Sequence, residues 1–411
     1  MSIARDGTAA DGYEPAGRGS WLLLWSLAIA QLVSWGALYY AFTLFVVPME
    51  AELGWSRTAL NGALSLGLLT AGLAAYPVGT WIDRRGGRAL MTLGSTLGVV
   101  LLIAWSRVES LAVFYAIWLG IGLAMAATLY EPAFAVLTRL FARSYRTKIT
   151  AMTLVGGFAS TVFIPLTQVL IAELGWRDAL LALAAILAAV CLPVHILLLK
   201  DAPHEPIETK AAPTVYGKGP VRRALRTPVF WGLLVCFTAY YATFSALTFH
   251  LVPLLTERNV PTDLIVAAFT VIGPAQVAGR IALLAAGHRL RTVSVGRVVV
   301  AVFPASVLLL IVFPTSLVAI FAFATLYGAA NGIMTIIRGT AVAELLGREG
   351  YGAINGALTL PANVAKAAAP FTAALIWSLS GGYDAVLWTI VAGGLIAVAG
   401  FWFATRQAVA G

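Results

Sequence analysis

Four ionisable residues, Glu131, Arg280, Arg338 and Lys366, fall inside long apolar runs of this 411-residue chain. A charge at the centre of a membrane helix costs roughly 2.5–3.5 kcal/mol on insertion scales, so each of the four marks a candidate for function. The three cations sit on polar stripes. Gly273, Gln276 and Arg280 fall at i, i+3 and i+7. Tyr327, Asn331, Thr335 and Arg338 fall at i, i+4, i+8 and i+11, and so do Asn355, Thr359, Asn363 and Lys366. Such offsets put each set on one helical face. Arg280 and Lys366 have no obvious acidic partner in their own runs, Asp263 lying at the opposite end of helix 8 from Arg280. Two unpaired cations around one wet cavity make an anion receptor, in which Arg grips a carboxylate through two N–H groups and Lys acts as a point charge. Gln276, Tyr327, Asn331 and Asn363 are the expected neutral donors. Glu131 and Arg338 are opposite in sign and 207 residues apart. Two readings stand for them: a structural buried pair, or a pair that Glu131 opens by taking up a proton and freeing Arg338.

The elements that hold these residues are helices. Hydrophobic residues make up 60% of the chain and charged residues 11%, against about 25% charged in soluble domains. Twelve apolar runs are each near the length of about 20 residues that crosses a hydrocarbon core. They are 21–49, 57–81, 88–106, 110–141, 147–173 and 177–199, then 228–256, 262–288, 293–314, 315–346, 351–380 and 382–405, numbered helix 1 to helix 12. Only the Pro314-Thr315-Ser316 turn divides helix 9 from helix 10. A β-barrel is excluded, because its strands alternate apolar and polar residues and these runs do not. Lys366 lies midway along its run, and Arg280 lies eight residues before His288, about 12 Å from that edge at 1.5 Å per residue.

The halves repeat. Pro48 and Glu52 recur as Pro253 and Glu257 after 205 residues, Asp83-Arg84 as His288-Arg289, and Pro165 as Pro370. Gly175-Trp176 maps onto Gly382-Tyr383 with a residue or two of slippage. The expected fold is an all-α membrane protein whose twelve transmembrane helices form two pseudo-symmetric six-helix bundles, 21–199 and 228–405. Residues 200–227, with prolines at 203, 206, 213 and 220, are the expected cytoplasmic linker. Residues 1–20 are an expected disordered lead and 406–411 a tail. The first apolar run is too long for a signal-peptide core.

Lys and Arg gather at the termini and even-numbered loops; among the odd-numbered loops only Arg57, Arg107, Arg177 and Arg258 stand out. The positive-inside rule therefore places both termini in the cytoplasm and the chain in the inner (plasma) membrane. The net charge of +9 then reports topology, not nucleic-acid binding. Cys191 and Cys236 fall in apolar runs and read as core thiols. There is no paired-Cys metal spacing, phosphate loop or nucleophile elbow. No enzyme activity, cofactor or metal is expected, and no obligatory protein partner is inferred. The expected partners are the lipid bilayer and a small anionic substrate.

The loop after helix 2 reads Gly79-Thr80-Trp81-Ile82-Asp83-Arg84-Arg85-Gly86-Gly87-Arg88. It resembles the signature of the major facilitator superfamily at this loop, with one extra residue between the Asp-Arg and Gly-Arg pairs. That resemblance, with helix count and repeat, covers nearly the whole chain. Gly79, Asp83, Arg84 and Arg88 are the expected cytoplasmic gate. Helix 11 starts at the same surface near Tyr351, and a carboxylate is drawn to a helix N-terminus by roughly 0.3–1 kcal/mol. Arg84 and Arg88 are expected to meet Glu344 or Glu349; the alternative is that these arginines only set topology. An Arg in helix 8 (Ala278-Gly279-Arg280), a Lys in helix 11 and the run Thr248-Phe249-His250-Leu251-Val252-Pro253 resemble the monocarboxylate and oxalate–formate branch of that superfamily. The resemblance implies that Arg280 and Lys366 bind substrate carboxylates. Two features depart from the animal monocarboxylate carriers: Gln276 stands where they have an acid, and helix 1 has no Lys.

Aromatics cluster where an organic anion with an apolar body would sit: Trp35, Tyr39 and Tyr40, Tyr130, and Tyr240 and Tyr241. Tyr39 and Tyr241 are counted as substrate contacts. His250 packs near the end of helix 7, or carries a proton. The function expected is gradient-driven transport of mono- or dicarboxylates, by proton symport or anion exchange. The rival is a proton-driven exporter of lipophilic compounds, which would want uncompensated acid where this chain offers Glu131 alone.

Overall fold

A computed structural model describes residues 18–141, 143–199, 219–286 and 291–410. Every regular element among them is helical, as expected where lipid leaves each backbone N–H and C=O to find its partner within the segment. Ten helical stretches are long and apolar enough to cross a membrane. One of these, Tyr145–Leu198, spans 54 residues and bends at Gly175 (φ 78°), so it serves as helices 5 and 6. Helix 11, Tyr351–Ser380, has 30 residues and is diluted by Asn355, Asn363, Lys366 and two prolines. With it the helices number twelve.

Local chemistry sets the ends. Ser56 accepts from the Ala59 amide (3.2 Å) and starts helix 2. Thr227 accepts from the Phe230 amide (3.3 Å) ahead of Pro228 and starts helix 7. Ser316 caps Ala319 (3.4 Å) and starts helix 10. Helix 9 stops at Val312 and helix 10 begins at Leu317, which settles the division that rested on three turn residues. Some bounds move. Helix 2 runs on to Arg85, helix 12 continues into the expected tail as far as Ala410, and Gly219–Leu225, inside the expected linker, forms a short helix. Most of the lead, the linker residues 200–218 and the His288-Arg289 pair lie outside the described residues.

Helices 1–6 and helices 7–12 are called here the N and C halves, the membrane edge at Asp83 the terminus side, and the opposite edge the far side. Two apolar cores result. One joins the halves: its N-half members include Leu24, Leu27, Ile82, Met91, Phe134, Phe141, Met152 and Leu199, all toward the terminus side. The other, from Ala30 through Phe45, Trp105, Trp118 and Leu180 to Cys191, contains N-half residues only. Polar contacts at the far side follow suit. Glu52 accepts from the Trp176 indole (2.5 Å) and pairs with Arg177 (3.0 Å), while Glu257 accepts from the Trp377 indole (2.7 Å) and the Tyr383 amide (3.3 Å). Arg258 pairs with Asp384 at 3.0 Å. Repeated glutamates thus staple corresponding corners, each inside its own half. Cys191 and Cys236 are buried free thiols.

Candidate functional site

The site is built where helices lose their regularity. Helix 4 is two pieces, Leu111–Thr128 and Tyr130–Leu140, divided by Leu129 in extended geometry (φ −77°, ψ −157°). Pro132 is the reason: it has no N–H to give the Thr128 carbonyl one turn back. The buried Gln31 of helix 1 supplies the missing donor, Nε2 to Thr128 O at 2.7 Å. Tyr130 and Glu131 therefore open a new helix, whose positive end favours the Glu131 carboxylate. Helix 1 widens to a π-turn over Gly36–Tyr40, a feature frequent at functional sites. There Trp35 packs on Tyr39 (5.4 Å), Tyr40 (6.1 Å) and Tyr130 (5.1 Å between ring centres).

Across the seam, Arg338 Nη1 meets Glu131 Oε1 at 2.9 Å, the two side chains being 13% and 28% exposed. Arg338 Nη2 donates to Thr359 Oγ1 (2.6 Å), which itself donates to the Asn355 carbonyl (2.7 Å). The guanidinium carbon lies 5.0 Å from the Tyr241 ring centre, close enough for a cation–π contact. Lys366 is half-buried and within electrostatic reach of Tyr241, Arg338 and Glu131. No side-chain hydrogen bond or ion pair among the described residues reaches its ammonium. Its backbone is fixed instead: Pro370 withholds the donor that the Lys366 carbonyl would take, and Ser245 of helix 7 donates to it at 2.8 Å.

Arg280 differs from expectation. It is 4% exposed, and its guanidinium donates to the carbonyls of Thr153 (Nη1, 2.8 Å) and Gly332 (Nε, 3.2 Å). It bridges helix 5 of one half to helix 10 of its own, so it is not a bare cation. Gly157 admits it, since a methyl at that position would overlap the guanidinium. Arg280 remains within electrostatic reach of Tyr40 and Tyr130. Tyr130 also lies within electrostatic reach of Glu131.

The terminus side is closed. Asp83 accepts from the Gly352 amide on Oδ1 (2.9 Å) and the Ala353 amide on Oδ2 (2.8 Å), capping the start of helix 11. Arg139 holds the end of helix 2 through the carbonyls of Ile82 (2.7 Å) and Asp83 (2.9 Å). Arg348 reaches across to the Thr138 carbonyl (2.7 and 3.1 Å). Gly79 and Gly352 let helices 2 and 11 touch backbone to backbone, since a side chain on either would run into the other's carbonyl. Glu349 pairs with Arg223 (2.6 Å) and Glu344 accepts from Thr292 (2.6 Å), partners not foreseen for either.

The remaining candidates divide. Asn363 packs on Gly72 across the seam, Asn331 accepts from Tyr240 at 3.5 Å, and the Gln276 backbone packs on Gly332. Tyr327 is a correction: it is 2% exposed, stacked on Phe244 at 5.1 Å, with its hydroxyl bonded to Thr248 (2.7 Å) and the Phe244 carbonyl (3.2 Å). It belongs to the core that joins the halves, on its C-half side. His250 has both ring nitrogens engaged, Nε2 with the Pro370 carbonyl (2.9 Å) and Nδ1 with the Tyr383 hydroxyl (3.0 Å). The carbonyl can only accept, so Nε2 donates to it. Gln31 and Ser245 were missed. Their signal was a lone polar side chain in an apolar run, read together with Pro132 and Pro370.

The family model described as Major Facilitator Superfamily matches residues 27–311. An uncharacterized MFS-type transporter of Bacillus subtilis (strain 168), YcxA, is 24% identical over 238 residues. That match spans 54% of this chain and 54% of the relative, about half the length of each. The fold is similar to that of the E. coli fucose:proton symporter FucP in its outward conformation, with TM-score 0.75 and 14% identity over 95% of this chain and 99% of that one. It is also similar to the human organic anion transporter MFSD10, with TM-score 0.70 and 18% identity over 95% and 100%. At these identities the likeness concerns fold.

Proposed function

The chain belongs to the major facilitator superfamily, and from that premise we propose that this multi-pass membrane protein is a secondary transporter of small organic anions, mono- or dicarboxylates. The observation that carries the reading is charge. Arg280, Arg338 and Lys366 stand at membrane depth against the single carboxylate of Glu131, and only Arg338 has it as a partner. A half-buried ammonium with no ion-pair partner of its own is a poor resting arrangement and a good receptor. Lys366 takes the anionic group. Tyr39, Tyr40, Tyr130 and Tyr241 offer hydroxyls and ring faces to its body, and Arg280 holds the closed side while adding positive potential.

Transport follows by alternating access between two packed halves. The cross-half contacts described above gather from mid-depth to the terminus side, whereas the far-side ion pairs stay within one half. This supports a state open on the far side, with Asp83, Gly79 and the start of helix 11 as the gate. Charge topology puts that gate and both termini in the cytoplasm. The two halves, 21–199 and 228–405, move as bodies about the Glu131–Arg338 seam. The test is a thermal-shift screen of purified protein against carboxylates and lipophilic cations, with Lys366→Gln as the blank. Carboxylates should stabilise the wild type and not the variant. Equal stabilisation of both, or a response to cations alone, refutes the anion site and favours an exporter.

A further inference from the structure

Pro132 frees the Thr128 carbonyl in helix 4, and Pro370 frees the Lys366 carbonyl in helix 11. Both freed carbonyls lie near a membrane-depth charge, one beside Glu131 and the other on Lys366 itself. Each is filled from another helix: Gln31 of helix 1 in the first case, Ser245 of helix 7 in the second. Helices 1 and 7 are counterparts in the repeat, each carrying the proline–glutamate punctuation of Pro48 and Glu52 or Pro253 and Glu257. A buried carbonyl without a donor is costly, so the alternative to Gln31 is a helix 4 that shifts to find one. Any such shift moves Glu131, three residues along. Gln31 also holds a buried Oε1 with no partner, a cost it bears for the bond its Nε2 makes.

We propose that Gln31 is a positioning residue for transport: by donating to the carbonyl that Pro132 leaves free, it holds the break that aims Glu131 at Arg338 across the seam. This rests on reading the Glu131–Arg338 pair as part of the translocation site. Gln31 touches neither partner directly in the bonds described; it acts through the Thr128 carbonyl and the first turn after Leu129. The charged and titratable groups around Glu131 are Tyr130 of its own helix, Arg338 of helix 10, and Tyr351 and Lys366 of helix 11, with Tyr241 of helix 7 over Arg338.

The test uses full-length purified protein without substrate. Gln31→Met keeps length and removes the donor. It should lower the melting temperature by several degrees. Pro132→Ala returns an N–H to the Thr128 carbonyl, so Gln31→Met in that background should cost less than a third as much. The coupling between Glu131 and Arg338, read as the non-additivity of Glu131→Gln and Arg338→Gln melting shifts, should fall to less than half in Gln31→Met. A loss that Pro132→Ala leaves undiminished, or an unchanged coupling, overturns the proposal. If Gln31→Met does not accumulate as folded protein, recovery of the double variant with Pro132→Ala supports it and failure of that variant overturns it. Because no substrate enters these measurements, a protein that ignores carboxylates would sink the anion reading and leave this result standing.

Discussion

Glu131 and Arg338 meet 2.9 Å apart across the boundary between two six-helix halves, although 207 residues separate them in the chain. The contact joins the start of a half-helix to the last third of a continuous one, Leu317–Leu345. Its members are largely withdrawn from water, so removal of one leaves the other's charge uncompensated. Glu131→Gln or Arg338→Gln is expected to cost about 3 kcal/mol, the lower end for breaking a buried pair, because Glu131 keeps some solvent contact. Chemical or thermal unfolding in detergent measures it. The exchange Glu131→Arg with Arg338→Glu should recover part of the loss; no recovery would mean that the two act independently.

Asp83 bonds the first amides of helix 11 with both oxygens. Asp83→Asn keeps the shape and removes the charge that the helix terminus favours, a loss of about 1–2 kcal/mol in partly buried geometry. Opening of the terminus side should become on the order of tenfold more populated. Spin labels at the end of helix 2 and the start of helix 11 would report it as a longer distance.

Gly79 gives a sharper version of the same experiment. Gly79→Val places a branched side chain against the Gly352 backbone. Closure of the terminus side should fail while each half, with its own far-side staples, stays folded. The same label pair should report the open distance alone, with transport abolished and the melting temperature lowered by only a few degrees.

Ser245→Ala leaves the Lys366 carbonyl without its donor. The expected loss is about 1–3 kcal/mol, the penalty for an unsatisfied buried acceptor. Ser245→Thr should retain most stability, since it keeps the hydroxyl. Melting curves compared with Pro370→Ala distinguish this from simple packing, because the restored N–H makes Ser245 dispensable.

Much of this was readable in the sequence, for physical reasons. Apolar runs of membrane length show helices directly, and the Asp83 latch follows from charge topology plus the helix start at Tyr351. The Glu131–Arg338 contact was suggested by sign and repeat offset. The partners of Arg280 are not legible in the sequence, because they are the backbone carbonyls of Thr153 and Gly332, which any residue possesses. Tyr327 shares a helical face with Arg338, but periodicity gives direction and not depth. About 16 Å along the helix, that face looks onto Phe244 and Thr248 and no longer onto Glu131. The break at Leu129 was hidden because Pro132 advertises a freed carbonyl without saying which neighbour fills it.

The most direct measurement is uptake of labelled carboxylate into vesicles reconstituted with wild-type protein or Lys366→Gln. The expected result is saturable, counter-substrate-accelerated uptake that Lys366→Gln reduces at least tenfold while remaining folded. Wild-type vesicles that move a lipophilic cation and no carboxylate, or uptake indifferent to Lys366, would contradict a site built around an unpaired cation.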